Sequence, residues 1–322
     1  MAHRAAMQST KRNSRFGNDA VLNADGKPVH AVLTPRQLRL LDFLERNRYA
    51  TFNDIHGYLK GDPTALRYSI RVLKAKPNSY LKVCDQHVEE RNLRRKVAYE
   101  LDRRGIDHLR QGGKTVADRS YVRNFTHAQL ASHATASIET GITDAENARL
   151  ISWSEILGSE AMPALTKQLQ HPAGLRAQYE AGGILFDKTV RADSLPFGIE
   201  LRVEGDRKKF RFFSGIEADM GTEPIAVSNF ERTSIFAKFK AYLSIESGGV
   251  YKSHFGFPNF FVPFVTTNVS RMRAMMNELE RITQGIGSKT LVFKVANQEG
   301  APGYLFNEPW ERVGYDPIIL AK

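Results

Sequence analysis

The chain has 322 residues and a single cysteine, Cys84. That excludes an intramolecular disulfide and a cysteine-built zinc site, and it suits a reducing cytoplasm. No run of about 18 apolar residues is present to span a membrane, and the first thirty residues carry charge without the apolar core of a secretory leader. The net charge of +11 is unevenly placed: residues 1–125 hold 25 basic and 13 acidic side chains, a balance of +12, whereas residues 126–322 hold 21 and 22, a balance of −1. A polyanion-binding N-terminal part and a near-neutral remainder follow, in a chain long enough for two cores.

Residues 1–30 are polar, basic and without apolar periodicity, which predicts a disordered arm, either a solvated tail or a segment that tracks a DNA backbone. Structure is expected from Thr34-Pro35-Arg36-Gln37, a cap, a first-turn proline and a reciprocal glutamine, followed by the stripe Leu38, Leu41 and Leu44. A second helix starts at Thr51, and a third at Asp62-Pro63. In the third, Leu66, Ile70 and Leu73 form a core face, and Arg67, Arg71 and Lys74 form a basic stripe one position on. Tyr80–Val83 and Val97–Leu101 read as two strands joined by a loop with Arg91, Arg94, Arg95 and Lys96, which is how a wing looks. Residues 31–112 are therefore expected to form a winged helix-turn-helix that binds double-stranded DNA, with Arg67, Arg71 and Lys74 in the major groove and Arg91, Arg94 and Arg95 on the wing. The alternative is a bundle helix with a solvated basic face.

Gly112-Gly113-Lys114 opens a linker over residues 113–125, and residues 126–322 form the second domain. His127–Thr140 reads as a helix, its two histidines (His127 and His133) taken as packing or capping residues. Leu150–Ile156 reads as a strand, residues 158–182 as irregular turns, and Val190–Leu195 as another strand start carrying Asp193. Ile199, Leu201 and Val203 alternate, turn at Gly205-Asp206 and return through Phe210 to Ala218, a hairpin with Glu217 and Asp219 on its return strand. A helix Phe236–Ile245, a strand Phe260–Thr266, a helix from Ser270 and a strand Thr290–Val295 complete a mixed α/β sheet covered by helices.

Glu217 and Asp219 leave one face of an apolar strand about 7 Å apart, a costly arrangement unless the pair binds a cation, shares a proton or is salt-bridged. Asp193, Glu217 and Asp219 supply the oxygens that Mg²⁺ or Mn²⁺ prefers, and Lys238 on the next helix is placed to orient water, so these four residues are the candidate catalytic set and the three carboxylates the candidate metal ligands. The spacing resembles the restriction-endonuclease pattern of Asp followed by Glu-x-Lys, except that Asp219 stands where lysine is expected. Two further readings stay open: an acidic pair that bridges neighbouring cations, and a nuclease-like core kept for its shape. Gly285–Thr290 lacks the order of a phosphate loop, and Arg271 and Arg273 are placed either to hold a phosphate or to lie on the surface.

Taken together, His127 to Leu130, Trp153 with Glu155, Ala192-Asp193, the segment Glu217 to Glu223, Lys238 with Tyr242, and Thr267 to Arg273 resemble the hallmarks of the replication-relaxation family of plasmid and mobile-element proteins, over residues 34–295. The resemblance implies an α+β chain, an N-terminal winged helix followed by a mixed α/β restriction-endonuclease-like domain, acting on DNA in replication, relaxation or mobilisation. A Mg²⁺-dependent nickase and an inactive platform are both compatible with it. The rival readings are a non-enzymatic transcription or replication regulator, and an adaptor whose aromatic segment Tyr251–Phe261 binds a relaxase or replication protein. A homodimer is a further expected partner state.

Overall fold

The computed structural model describes residues 19–84, 97–114, 116, 125–203, 207–226, 234–297 and 300–322. The expected wing arginines Arg91, Arg94 and Arg95, most of the expected linker and most of the N-terminal arm lie outside them. The chain is mixed α+β, with several small sheets. No helix among the described residues is long and apolar enough to cross a membrane.

The N-terminal unit starts with α1 (Pro35–Arg46), β1 (Ala50–Thr51), α2 (Phe52–Leu59) and α3 (Pro63–Lys74). Their starts are the ones the capping chemistry dictates. The Thr34 hydroxyl accepts from Gln37 N while Gln37 returns the bond, Thr51 and Asp54 do the same, and Asp62 accepts from Thr64 N and Ala65 N ahead of Pro63. Strands β2 (Leu81–Val83) and β3 (Ala98–Leu101) then pair antiparallel, with β1 on the far side of β3, and α4 (Arg103–Gln111) closes the unit. Leu40, Leu41, Leu44, Ile55, Leu66, Ile70 and Leu73 fill one core, which is completed by Ala136 from outside the unit.

Ala136 belongs to α5 (Phe125–Asp144), a helix buried on almost every side. Its Ala, Ser, Thr and Gly residues let neighbours approach closely. Toward the N-terminal unit it presents Glu139, which accepts from Arg46 Nε at 2.9 Å and from Asn47 Nδ2, and His133, whose Nδ1 lies 2.7 Å from Asp54 Oδ1. Its other side packs on the C-terminal sheet through Leu130, Ala134, Ile138 and Ile142.

The C-terminal part begins with β4 (Ala148–Ile151), α6 (Trp153–Gly158), α7 (Ala164–Lys167) and the hairpin β5 (Leu175–Ala181) and β6 (Ile184–Val190). The single strand expected over 150–156 is interrupted: Ser152 caps Glu155 N, Glu155 bonds back to Ser152, and a helix starts there. Residues 158–182, expected to be irregular, include β5, whose alternate residues Leu175, Ala177, Tyr179 and Ala181 are buried. Strand β7 (Phe197–Val203) pairs antiparallel with β4 on one side and β8 (Arg207–Phe213) on the other.

Here the expected hairpin departs from the structure. Its return strand stops at Phe213, Gly215 adopts φ +99°, and Glu217 and Asp219 sit on a separate strand, β9 (Glu217–Asp219). A side chain at Gly215 would press on the Ser194 carbonyl at 2.2 Å, so only glycine serves at this break. Strand β9 pairs parallel with β10 (Val262–Thr266), and β10 with β11 (Leu291–Val295). A bridge from Phe213 to Phe261 joins the antiparallel and parallel halves. The chain crosses from β9 to β10 through α8 (Ile235–Ser247) and α9 (Val250–Phe255), and from β10 to β11 through α10 (Val269–Ile282). It ends with α11 (Tyr304–Asn307) and the short pair β12 (Pro309–Trp310) and β13 (Ile318–Ile319).

Strands β10 and β11 are largely apolar on both faces, as burial on two sides requires, whereas β9 gives one face to Glu217 and Asp219. Phe264, Leu291 and Phe293 meet α8 and α10, while Val265, Val292 and Ala218 meet α5 and α11. Tyr251, Phe255 and Phe260 are buried in the first of these layers, so they form core instead of the exposed aromatic patch an adaptor would need.

Candidate functional site

Strand β9 aims Glu217 and Asp219 at the layer of α8 and α10, one residue apart on the same face, and each meets a different cation. Lys238, one turn into α8, places Nζ 3.0 Å from Glu217 Oε2 and 3.2 Å from Glu223 Oε2. Tyr242, one turn further, donates its hydroxyl to Glu217 Oε1 at 2.5 Å. Asp219 is gripped from α10: Arg271 Nε donates to Oδ2 and Nη2 to Oδ1, both at 2.8 Å, and the Thr266 hydroxyl donates to Oδ2 at 3.1 Å. Such a two-point guanidinium–carboxylate pair is among the stronger and more directional ion pairs.

Asp193 joins from the loop between β6 and β7. The residue is exposed, but its carboxylate is turned inward, Oδ2 accepting from Ala218 N at 2.8 Å. Its backbone N–H and that of Ser194 both donate to Ile216 O, and Ser194 Oγ accepts from Ile216 N, so the loop is fastened along the break before β9. Asp193, Glu217 and Lys238 are thereby brought together, and Asp219 is turned to a separate partner.

Three residues outside the candidate catalytic set also belong here. Glu223 has its Oε2 buried beside Lys238 and accepts no hydrogen bond there among the described residues. Arg271 pairs with Asp219. His127, in the first turn of α5, lies with Nε2 3.2 Å from the Thr222 hydroxyl. The six-residue spacing of His127 and His133 carried no signal, because His127 reaches this cluster and His133 reaches Asp54 in the N-terminal unit.

The electrostatics follow burial and charge. Burial pushes the Glu217 carboxyl up, against the pull of Lys238, and the Asp193 charge adds to the rise. Asp193 is likewise raised, by burial first. Burial also raises Tyr242, well above the usual phenol, with Glu217 reinforcing it. For Lys238, burial works against the charge, but Glu217, Asp193 and Glu223 together overcome it and hold the ammonium charged far into alkali. Asp219 goes the other way: burial opposes its charge, and Arg271 and Thr266 more than offset that, leaving its carboxyl below the usual range. His127 is lowered by burial, against the attraction of Glu223.

A hard divalent cation needs several oxygens free to converge on it. Here Glu217 uses one oxygen on Tyr242 and the other on Lys238, and both oxygens of Asp219 are taken by Arg271. Among the described residues no three His, Cys, Asp or Glu side chains are grouped to hold a metal ion. With the side chains placed in this way, the oxygens of Glu217 and Asp219 are taken by Lys238, Tyr242 and Arg271. The positive charge at the centre is the lysine's own.

In the N-terminal unit, α3 displays a second feature. Thr64, Arg67, Tyr68 and Arg71 are exposed along one face of the helix. The Arg67 guanidinium lies 4.4 Å over the Phe52 ring, and that of Arg71 lies 5.3 Å over Tyr68. Lys74, expected to extend this stripe, is only 8% exposed. It is turned into the protein, and burial lowers its ammonium.

Comparison with family models, with curated proteins and with solved structures gave no match.

Proposed function

We propose that the chain is a DNA-binding protein of replication-relaxation type, acting in the replication or mobilisation of a mobile element. Its N-terminal unit docks on duplex DNA as a winged helix, and its C-terminal part is a restriction-endonuclease-like core. The observation that carries the reading is the exposed face of α3, with Arg67 and Arg71 in no carboxylate ion pair among the described residues. This face is backed by three helices and a three-stranded antiparallel sheet, in the part of the chain that holds the whole positive excess. Helix entry into the major groove with arginines at base edges and phosphates is the use such a surface serves. For the C-terminal part, support comes from the element order: helix, antiparallel meander, crossover helix, parallel strand, with the acidic residues at the junction.

In this reading the acidic cluster is structural, its carboxylates neutralised by Lys238 and Arg271, and the core acts as a platform. The rival reading is DNA nicking at Asp193, Glu217 and Lys238, and the contact of Lys238 with Glu217 is in its favour. One experiment separates them. Binding to a duplex is followed by fluorescence anisotropy for the intact protein and Arg67→Ala/Arg71→Ala, alongside supercoiled-plasmid nicking in Mg²⁺ or Mn²⁺ for the intact protein and Glu217→Ala. Salt-sensitive binding that the arginine pair removes, without nicking, is the expected result. Nicking that disappears in Glu217→Ala would replace the platform with a nuclease, and absence of duplex binding would end the DNA reading.

A further inference from the structure

Arg67 differs from the other arginines of its surroundings in how it is held. Arg36, one helix away, donates its guanidinium to the Lys60 carbonyl. Arg39 lies 5.2 Å over Tyr58, and Arg71 lies 5.3 Å over Tyr68, a ring on its own helix that is 50% exposed. Arg67 makes no hydrogen bond among the described residues and is instead seated 4.4 Å above Phe52, the first residue of α2.

Phe52 is itself fixed. It is half-buried against the N-terminal core, and its ring stacks on that of His56 one turn later, centroids 5.8 Å apart and planes 10° from parallel. His56 is anchored in turn, its Nε2 3.0 Å from the Gly61 carbonyl. The order guanidinium, phenyl, imidazole therefore runs from the exposed face of α3 to the turn that precedes it. Contact with a ring face uses the flat side of a guanidinium and leaves the N–H edge free. An arginine ordinarily loses rotamer freedom when it is fixed, and part of that loss has been taken before any ligand arrives.

We propose that Phe52 is a positioning residue for sequence recognition: it holds the Arg67 fork edge-outward so that the paired donors meet O6 and N7 of one guanine in the major groove. This inference rests on the DNA-binding reading above. It assigns Arg67 a base-reading role, and Arg71, on its looser seat, contact with phosphate.

The test starts with selection of a preferred site by the full-length protein from a random duplex library, followed by anisotropy on that site and on single-base variants at two salt concentrations. One guanine is expected whose replacement by adenine weakens the intact protein about tenfold or more and leaves Arg67→Ala unaffected. Arg67→Lys keeps the charge, and so the salt slope, but loses the guanine preference. Phe52→Leu, checked by its melting temperature, loses about two- to fivefold of the preference, the worth of an exposed cation–ring contact. Phe52→Trp retains it. Equal discrimination by the intact protein and Phe52→Leu would overturn the role of the ring. A site without an Arg67-dependent guanine would overturn the base contact while leaving DNA binding intact, and failure of the unaltered protein to bind any duplex would remove both.

Discussion

Replacing Lys238 by methionine keeps much of the side-chain volume and removes the charge that Glu217, Asp193 and Glu223 share. The Glu217 side chain is 2% exposed and that of Lys238 17%, so water can do little to replace the lysine. An ionised Glu217 left alone there is intolerable, and it escapes by taking a proton. The loss is therefore capped by the cost of protonating a carboxyl whose ordinary value is 4.5. At 1.36 kcal/mol per pH unit that is about 5 kcal/mol at pH 8 and about 0.7 kcal/mol at pH 5.

The signs agree with the shifts. The raised Glu217 favours the folded state below its ordinary value, and that contribution is lost as pH rises through the folded value. The raised Lys238 contributes throughout the neutral range, and its contribution is lost only in strong alkali. Lys238→Met exposes the first effect by deleting the second. For 322 residues, unfolding entropy of about 2.1 cal/mol/K per residue converts these figures to about 7 °C at pH 8 and about 1 °C at pH 5. Calorimetry of the intact and variant proteins at both pH values reads the difference. A deficit that is the same at pH 5 and pH 8, or larger in acid, would refute the internal-cation account of this centre.

Arg271→Ala should remove the stability that Asp219 gains from its lowered carboxyl, about 2 kcal/mol for a strong charged hydrogen-bonded pair. That contribution is present above the ordinary value of 3.8 and lost as pH falls through the folded value, so urea melts of the two proteins should converge toward pH 3. Lys74→Met should leave the salt slope of DNA binding unchanged, because the lysine is buried, whereas Arg71→Ala should reduce it by about one; anisotropy across a salt series separates them. Gly141→Ala should destabilise by about 1–3 kcal/mol despite the better helix propensity of alanine, since the new methyl would meet Phe306 Cβ at 2.5 Å and the Gly303 carbonyl at 2.9 Å. A neutral or raised melting temperature would contradict that close crossing.

What could be read from the sequence was what short-range chemistry decides. Thr34, Thr51 and Asp62 announced three helix starts because a cap and its partners lie within four residues. The alternation of β7 and β8 was equally local. The Ser152–Glu155 capping box is of the same local kind, and it ends the strand expected over Leu150–Ile156 and starts a helix. The acidic centre needed more. Asp193, Glu217 and Lys238 were named from residue type and spacing, yet the break at Gly215 depends on the Ser194 carbonyl more than twenty residues upstream, and nothing local marks it. Glu223, Arg271 and His127 come from elements that meet only after the sheet has closed. Lys74 was misplaced for a related reason: three basic residues at helical spacing do not reveal which of them the N-terminal segment will cover.

Helix α5 has a consequence for the order of events during synthesis. Gln111 ends the N-terminal unit, but Ala136 completes its core, and Glu139 supplies the partner for Arg46 and Asn47. At about 5–20 residues per second the ribosome needs roughly one to several seconds to deliver that stretch. Through that interval the first unit lacks one wall of its core and the carboxylate partner of Arg46 and Asn47. The same helix is also the wall on which the C-terminal sheet assembles, so the first half of the protein finishes folding on a surface that the second half then shares. A chain cut between residues 112 and 125 separates two segments in sequence, but it leaves the earlier one without part of its interior.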